Sequence, residues 1–269
     1  MARNRKTALV PREVVPHVLQ AAKQWAMRRT AGLVAPKVNE QFSGTFVRFG
    51  DTPFIATAQH CLANVHDIDD VMAFSYERPL ATTPLKWRAK IVDRHFDTAL
   101  LELDPDSALA LDPEWITLET VNSEATGPGS TVCFVGFPSA PPLTHELPGT
   151  AGGLALTPIA YGTNVTIRDI PPLRSDNRQP DEDVDLFLEY DTENTVDNGT
   201  GHQIVAPLPF GLSGAGVFSI SVSAEPQLWS PSQCRLVGTV SSYLGSARLI
   251  RATRSESLRV LYDRYLARN

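Results

Sequence analysis

The sequence predicts an all-β protein, a sandwich or barrel, with one helix at each end. Three observations carry this reading. Short apolar runs with period-two alternation recur between residues 42 and 252, glycines and prolines punctuate them, and almost no helical periodicity separates them. At 269 residues, 42% hydrophobic and 20% charged, the chain has the composition of a folded globular protein. A double β-barrel uses this whole length as one folding unit.

The elements follow in order. Residues 11–31 read as an amphipathic helix, because Val14, Val18, Ala21, Ala22 and Trp25 recur at helical spacing. Pro11 suits its first turn and Gly32 is a stop signal. Such a helix either packs on the outside of the core or docks a partner. FSGTFVRF and FIATA then flank a tight GDTP turn as two strands. Further β-like runs are VMAFSY, KWRAKIVD, TALLEL, STVCFVGF, ALTPIAYG, NVTIRDI, DLFLEY, GAGVFSI, RLVGTVSSY and ARLIRA. Residues 104–128 read as a connector between two β units, and 169–202, broken only by DLFLEY, as surface loop. In the last stretch Leu258, Leu261, Tyr262 and Tyr265 share a helical face, with Ser255 or Ser257 available as its cap. The organisation expected is a helical extension (1–32), a first β unit (33–120), a second (121–252) and a terminal helix (253–269).

Bulk properties exclude several function classes. A net charge of -6 gives no general reason to expect nucleic acid or an anionic membrane as partner. Basic residues at the two ends, such as Arg3, Arg5, Arg264 and Arg268, read as solvated helix faces. Three cysteines, Cys61, Cys133 and Cys234, make a poor disulfide framework and point to a reducing compartment, most simply the cytoplasm. The basic N-terminus never becomes an apolar signal region, and no apolar run spans a bilayer. The Asn164 and Asn198 sequons are then chance matches. No metal site is expected, since no His, Cys or carboxylate pair has ligand spacing. No cofactor is expected either, since no phosphate-binding glycine loop joins a strand to a helix.

Three segments carry chemistry. In Gly211-Leu212-Ser213-Gly214-Ala215-Gly216 a serine sits among three glycines before an apolar strand. Glycines let a backbone turn tightly and aim N–H groups, so those of Gly211 and Ser213 are candidate oxyanion-hole donors. An ordinary Gly-rich turn is the bland alternative. In Phe54-Ile55-Ala56-Thr57-Ala58-Gln59-His60-Cys61 a strand ends in small residues and a histidine, either a base or a structural imidazole. Asp97 heads the apolar run Thr98-Ala99-Leu100-Leu101; a buried Asp needs hydrogen-bond donors, and an imidazole N–H is one. A strand-capping Asp is the alternative. Together they supply a nucleophile, a base and an orienting acid.

In this order the three segments resemble the trypsin/chymotrypsin-like serine proteases, of a bacterial, intracellular type without disulfides. Thr57–Cys61 is similar to the family's T-A-x-H-C, Asp97–Leu101 to its D-x-A-L-L, and Gly211–Gly216 to its G-x-S-G-x-P/G. Thirty-seven residues separate His60 from Asp97, and 116 separate Asp97 from Ser213, which also fits. Ser43-Gly44-Thr45-Phe46, Val135-Gly136-Phe137-Pro138 and Leu236–Ser242 are further matches, so the resemblance spans roughly residues 40–252. It implies two antiparallel six-stranded β-barrels with the site between them, His60 and Asp97 on the first and Ser213 on the second. It implies a serine endopeptidase: Ser213 as nucleophile, His60 as base, Asp97 as its orienting acid, and no cofactor. The order His, Asp, Ser excludes an α/β-hydrolase, where the histidine comes last.

Departures from the family matter. Leu212 stands where many secreted members have an Asp that pairs with a new N-terminus, so zymogen activation of that kind is not expected. Phe42 stands where a disulfide partner of Cys61 would fall. By the same resemblance the base of the primary pocket lies near Pro207, with Ser241, Ser242 and Tyr243 on its wall. No acid lies between Val205 and Leu212, which gives no support for cleavage after Arg or Lys. Expected partners are a protein or peptide substrate and a possible activating protein, as in trypsin-like proteins of bacterial regulatory or antiviral systems. The alternative function is a catalytically silent binding module on a protease fold.

Overall fold

The computed structural model describes residues 15–78, 85–123, 126–138, 158–167, 170, 179–196, 202–220 and 229–268. Helix α1 (Val15–Met27) leads into β1 (Thr30–Ala35), β2 (Glu40–Phe49), β3 (Thr52–Ala58), β4 (Met72–Ser75), β5 (Trp87–Asp93) and β6 (Thr98–Leu103). These six form one sheet in the order β4-β1-β2-β3-β6-β5, with antiparallel neighbours throughout. The short α2 (Pro105–Leu111) and β7 (Ile116–Thr117) follow. β7 adds to β2 in parallel, opposite Val47 and Arg48, a pairing the antiparallel expectation does not contain. The two ends of the sheet meet where Trp87 Nε1 donates to the Val71 carbonyl at 3.0 Å, which curls it.

The second sheet contains β8 (Thr131–Gly136), β9 (Ile159–Asn164), β10 (Asp185–Glu189), β13 (Gly216–Ser219), β14 (Arg235–Leu244) and β15 (Leu249–Arg254). Its order is β10-β15-β14-β13-β8-β9, again antiparallel. Its ends are drawn together by a Val165–Leu188 bridge and by Thr163 Oγ1 donating to the Glu189 carbonyl at 2.6 Å. Between them β11 (Thr195–Val196) and β12 (Gln203–Ile204) form a small hairpin. The chain is therefore all-β, two curled antiparallel sheets with terminal helices, the second helix being α3 (Glu256–Leu266).

Each sheet closes over its own core, Phe46, Ile55 and Leu101 in the first, Phe134, Leu188 and Val217 in the second. A third cluster lies between them and is covered by both helices. Val18, Ala22 and Ala26 of α1 and Leu258 and Leu261 of α3 pack with Phe49, Phe54 and Phe218, which are fully buried. Burial of one such side chain contributes about 1.5–3 kcal/mol, so the terminal helices hold the two sheets in register as well as shielding them.

Several expectations are corrected. Helix α1 stops at Met27, and Gly32 lies within β1, paired with Ser43 and Phe74. Pairing on both edges draws residues 30–35 into the sheet, and Thr30 Oγ1 closes the helix on the Ala26 carbonyl at 2.9 Å. Ser255 stands at the N-cap position of α3, but its side chain makes no capping hydrogen bond, and Ser257 Oγ donates to the Arg254 carbonyl. The connector contains a helix and a strand, because Pro105 follows Asp104, whose side chain accepts from Asp106 N–H as a cap. Of NVTIRDI, Val165 makes only a bridge, and Arg168 and Asp169 lie outside the described residues. No helix among the described residues is long and apolar enough to cross a membrane.

Candidate active site

β3 delivers His60. The strand ends at Ala58, and a single turn of 3-10 helix, Gln59–Leu62, carries the imidazole to the edge of the first sheet. Asp97 sits in the β5–β6 connection with φ 51°, a left-handed conformation that Asp tolerates better than most residues. That backbone places both carboxylate oxygens on one neighbour. Oδ2 lies 2.8 Å from His60 Nδ1, and Oδ1 accepts from the His60 backbone N–H at 2.8 Å. Gln59 N–H in turn donates to the Asp97 carbonyl at 3.2 Å. The imidazole is half exposed and its orientation is held from three points. Bonding to Asp97, reinforced by Cys61, pushes its pKa up to about 10.

The outer nitrogen of His60 has a neighbour too. Nε2 lies 3.5 Å from Cys61 Sγ, and among the described residues it makes no hydrogen bond to Ser213. Burial raises the Cys61 thiol above its usual range.

Ser213 follows a turn in which Leu212 N–H donates to the Pro209 carbonyl at 3.1 Å and Gly211 has φ 82°. A positive φ at the third residue, with Phe210 absent from the positive-φ residues, is the signature of a type II turn. The serine is then clamped through its main chain. Ser43 N–H donates to the Ser213 carbonyl at 2.9 Å, Gly214 N–H to the Val240 carbonyl at 2.8 Å, and Ser43 Oγ to the Gly211 carbonyl at 2.7 Å. Gly214, with φ 88°, sits so close to β2 and β3 that a Cβ there would lie 2.0 Å from Ser43 O and 2.2 Å from Thr57 Oγ1. Only glycine allows this approach, which sets the serine against the strand that delivers His60. Leu212, Gly214 and Ala215 all donate their N–H groups to carbonyls. Those of Gly211 and Ser213 donate to no acceptor among the described residues.

A cleft beside the imidazole is lined by His60, Asp97, Ser241 and Ser242, together with Arg94, His95 and Arg251. The structure thus brings Ser241 and Ser242 to His60. Ser241 is buried with its hydroxyl on the Arg251 carbonyl, and Ser242 is exposed. Pro207 and Tyr243 lie apart from this cleft, around Tyr190, whose hydroxyl donates to the Pro207 carbonyl at 2.6 Å and whose ring meets Tyr243 edge-on at 5.9 Å. Tyr161 lies tilted against Tyr190, with ring centroids 4.8 Å apart. Sequence reasoning missed Ser43, Arg94, His95 and Arg251. Ser43 was legible only as part of a strand, and the other three carry no motif. Among the described residues no cluster of three His, Cys, Asp or Glu can hold a metal ion.

The two curled sheets with a histidine–aspartate pair on one and a glycine-framed serine on the other define the fold of chymotrypsin-like serine proteases. Comparison with solved structures agrees. A serine endoprotease from Yersinia pestis aligns with TM-score 0.54 at 13% identity, over 95% of this chain and 67% of that one. A Glu endopeptidase aligns with TM-score 0.50 at 12% identity, over 90% and 92%. The HtrA-type protease AlgW aligns with TM-score 0.51 at 14% identity over 88% of this chain, which spans 60% of its length. No family model and no curated protein matches the chain by sequence.

Proposed function

We infer that this protein is a serine endopeptidase in which Ser213 is the nucleophile, His60 the general base and Asp97 the acid that orients it. The observation that carries this reading is the pair of uncommitted N–H groups at Gly211 and Ser213, in a loop where those of Leu212, Gly214 and Ala215 are bonded. Two such donors beside a hydroxyl serve the negative charge that develops on a carbonyl oxygen under attack. Ser213 Oγ bonds to the substrate carbonyl carbon as its proton passes to His60 Nε2. The C–N bond then breaks as that proton passes to the leaving amine, and water releases the acyl group by the same steps. Substrate lies along the edge of β14. β13 pairs with β14 only as far as Thr239, and Val240 exchanges bonds with Gly214 and Ala215. Beyond it, residues 241–244 face no strand on that side among the described residues, an edge that an extended peptide can join.

A second reading is favoured by two observations. Cys61 Sγ lies 3.5 Å from His60 Nε2, and Pro207 is tied by its carbonyl to the hydroxyl of Tyr190, whose ring packs with Tyr161 and Tyr243. Both suit a protease fold that rests without turning over and waits for an activating protein partner, or binds one without cleaving it. Three free, buried thiols suit the cytoplasm as its setting.

A fluorophosphonate probe separates the readings. Labelling of the wild type, lost in folded Ser213→Ala and His60→Ala variants, supports an endopeptidase competent at rest. Labelling only in the presence of cell lysate supports partner activation. No labelling in either condition leaves the binding module and sinks the enzyme.

A further inference from the structure

The cleft beside His60 has an unbalanced charge. Arg251 is matched by Asp185, whose Oδ2 lies 2.6 Å from its Nη2 in a pair that is almost wholly buried. Asp97 is matched by His60 at 2.8 Å. Arg94 is exposed and makes no hydrogen bond or ion pair among the described residues, and the carboxylate next to it, Asp93, is taken by Arg264 and by the N–H groups of His95 and Phe96. The cleft also presents the His95 imidazole, packed edge-on against Phe96, and the exposed Ser242, a hydroxyl donor. On a chain of net charge -6, this lining carries one surplus guanidinium, further N–H and O–H donors, and no surplus carboxylate.

We propose that this cleft receives an acidic side chain, Asp or Glu, of the bound peptide, and that Arg94 is the residue that selects it. The inference rests on the reading that a peptide lies along the β14 edge. Ser241 and Ser242 belong to that edge and to the cleft lining at once, so a peptide joined to residues 241–244 lays a side chain into the cleft next to His60. That places the acidic side chain beside His60. Arg94 touches this side chain and not the reacting atoms, so it sets specificity. An exposed guanidinium–carboxylate pair favours an acidic residue roughly two- to fivefold over its amide counterpart.

The test is binding, read without turnover. The full-length Ser213→Ala protein is mixed with a degenerate pool of N-acetylated, C-amidated hexapeptides, whose only carboxylates are side chains. Protein-bound peptides are separated by rapid gel filtration and sequenced by mass spectrometry. The expected result is a two- to fivefold enrichment of Asp and Glu at one position, lost in Ser213→Ala/Arg94→Gln and replaced by Lys and Arg in Ser213→Ala/Arg94→Glu. No acidic enrichment, or enrichment unchanged by both Arg94 substitutions, overturns the proposal. Fluorophosphonate labelling of the wild type is read separately. Enrichment without labelling, either alone or with cell lysate, keeps the acidic subsite and removes the peptidase, whereas labelling without enrichment keeps the peptidase and removes the subsite.

Discussion

The two halves of the candidate site are built on opposite plans. On the first sheet His60 is engaged at its backbone N–H, at Nδ1 and at Nε2. On the second, Ser213 is held by its backbone carbonyl alone, with its hydroxyl and its N–H making no hydrogen bond among the described residues. The histidine–aspartate half is complete within one hairpin and one turn. The serine half is a set of groups, unbonded among the described residues, on a clamped loop. Buried and half-buried polar groups are ordinarily satisfied, so a clamped loop that leaves two N–H groups and a hydroxyl unpaired is shaped for something that arrives. What separates the halves chemically is the Cys61 sulfur beside Nε2: the imidazole is contacted by its own chain neighbour, and bonding to Asp97 raises its pKa to about 10.

This contrast can be broken experimentally. The largest effect belongs to the nucleophile. Ser213→Ala lowers any peptidase rate by on the order of 10⁴-fold or more while leaving the urea midpoint near that of the wild type; a variant that retains the rate removes Ser213 from the mechanism. Gly214→Ala comes next. A Cβ 2.0 Å from Ser43 O, at φ 88°, forces the loop away from β2. The expected loss is about 3 kcal/mol or more of stability together with fluorophosphonate labelling, read by thermal denaturation. Unchanged stability means the clamp is not rigid.

Ser43→Ala sharpens the comparison. Ser43 is fully buried, and its Oγ accepts from Phe137 N–H at 2.8 Å while donating to Gly211 O. Removing it strands a buried N–H, at a cost of about 1–3 kcal/mol, and should slow labelling by releasing the oxyanion turn; labelling at the wild-type rate would show that the turn holds itself. The His60–Asp97 pair predicts a pH dependence. Because Asp97 raises His60, the pair stabilises the fold fully below the unfolded-state histidine pKa of about 6.5, and this contribution is lost as pH rises through about 10. The gap in urea midpoint between wild type and Asp97→Asn is therefore wide at pH 6 and narrow at pH 10.5, and equal gaps contradict the pairing. The smallest effect is at Cys61. Cys61→Ala frees Nε2 from a weak contact and is expected to raise the labelling rate about fivefold; a fall would make the thiol a support of His60 instead of a competitor.

Local patterns carried most of the fold into the sequence. Period-two alternation placed β2, β3, β6, β8, β13 and β14 because each buries apolar side chains in a continuous core. Where two neighbours compete for a segment, the pattern misled. The start of β1, Thr30 and Ala31, reads as the end of a helix because its pairing with β2 and β4 is written in those strands and not in its own residues. NVTIRDI alternates like a strand, but its described residues give only the end of β9 at Asn164 and a bridge at Val165.

The sequence by itself determined the all-β class, the terminal helices, and the candidacy of His60, Asp97 and Ser213, since each rests on a residue type beside a short-range signal. Only the tertiary structure decided that both Asp97 oxygens face His60, that Ser43 clamps the serine loop from 170 residues away, and that Arg94, unpaired among the described residues, lines the cleft beside the imidazole. The physical reason is range. Strand periodicity and turn chemistry act over a few residues and leave their mark in order along the chain. A hydrogen bond across two sheets, a close backbone approach at Gly214, or a surplus charge in a cleft depends on distances that exist only once the sheets have closed on each other.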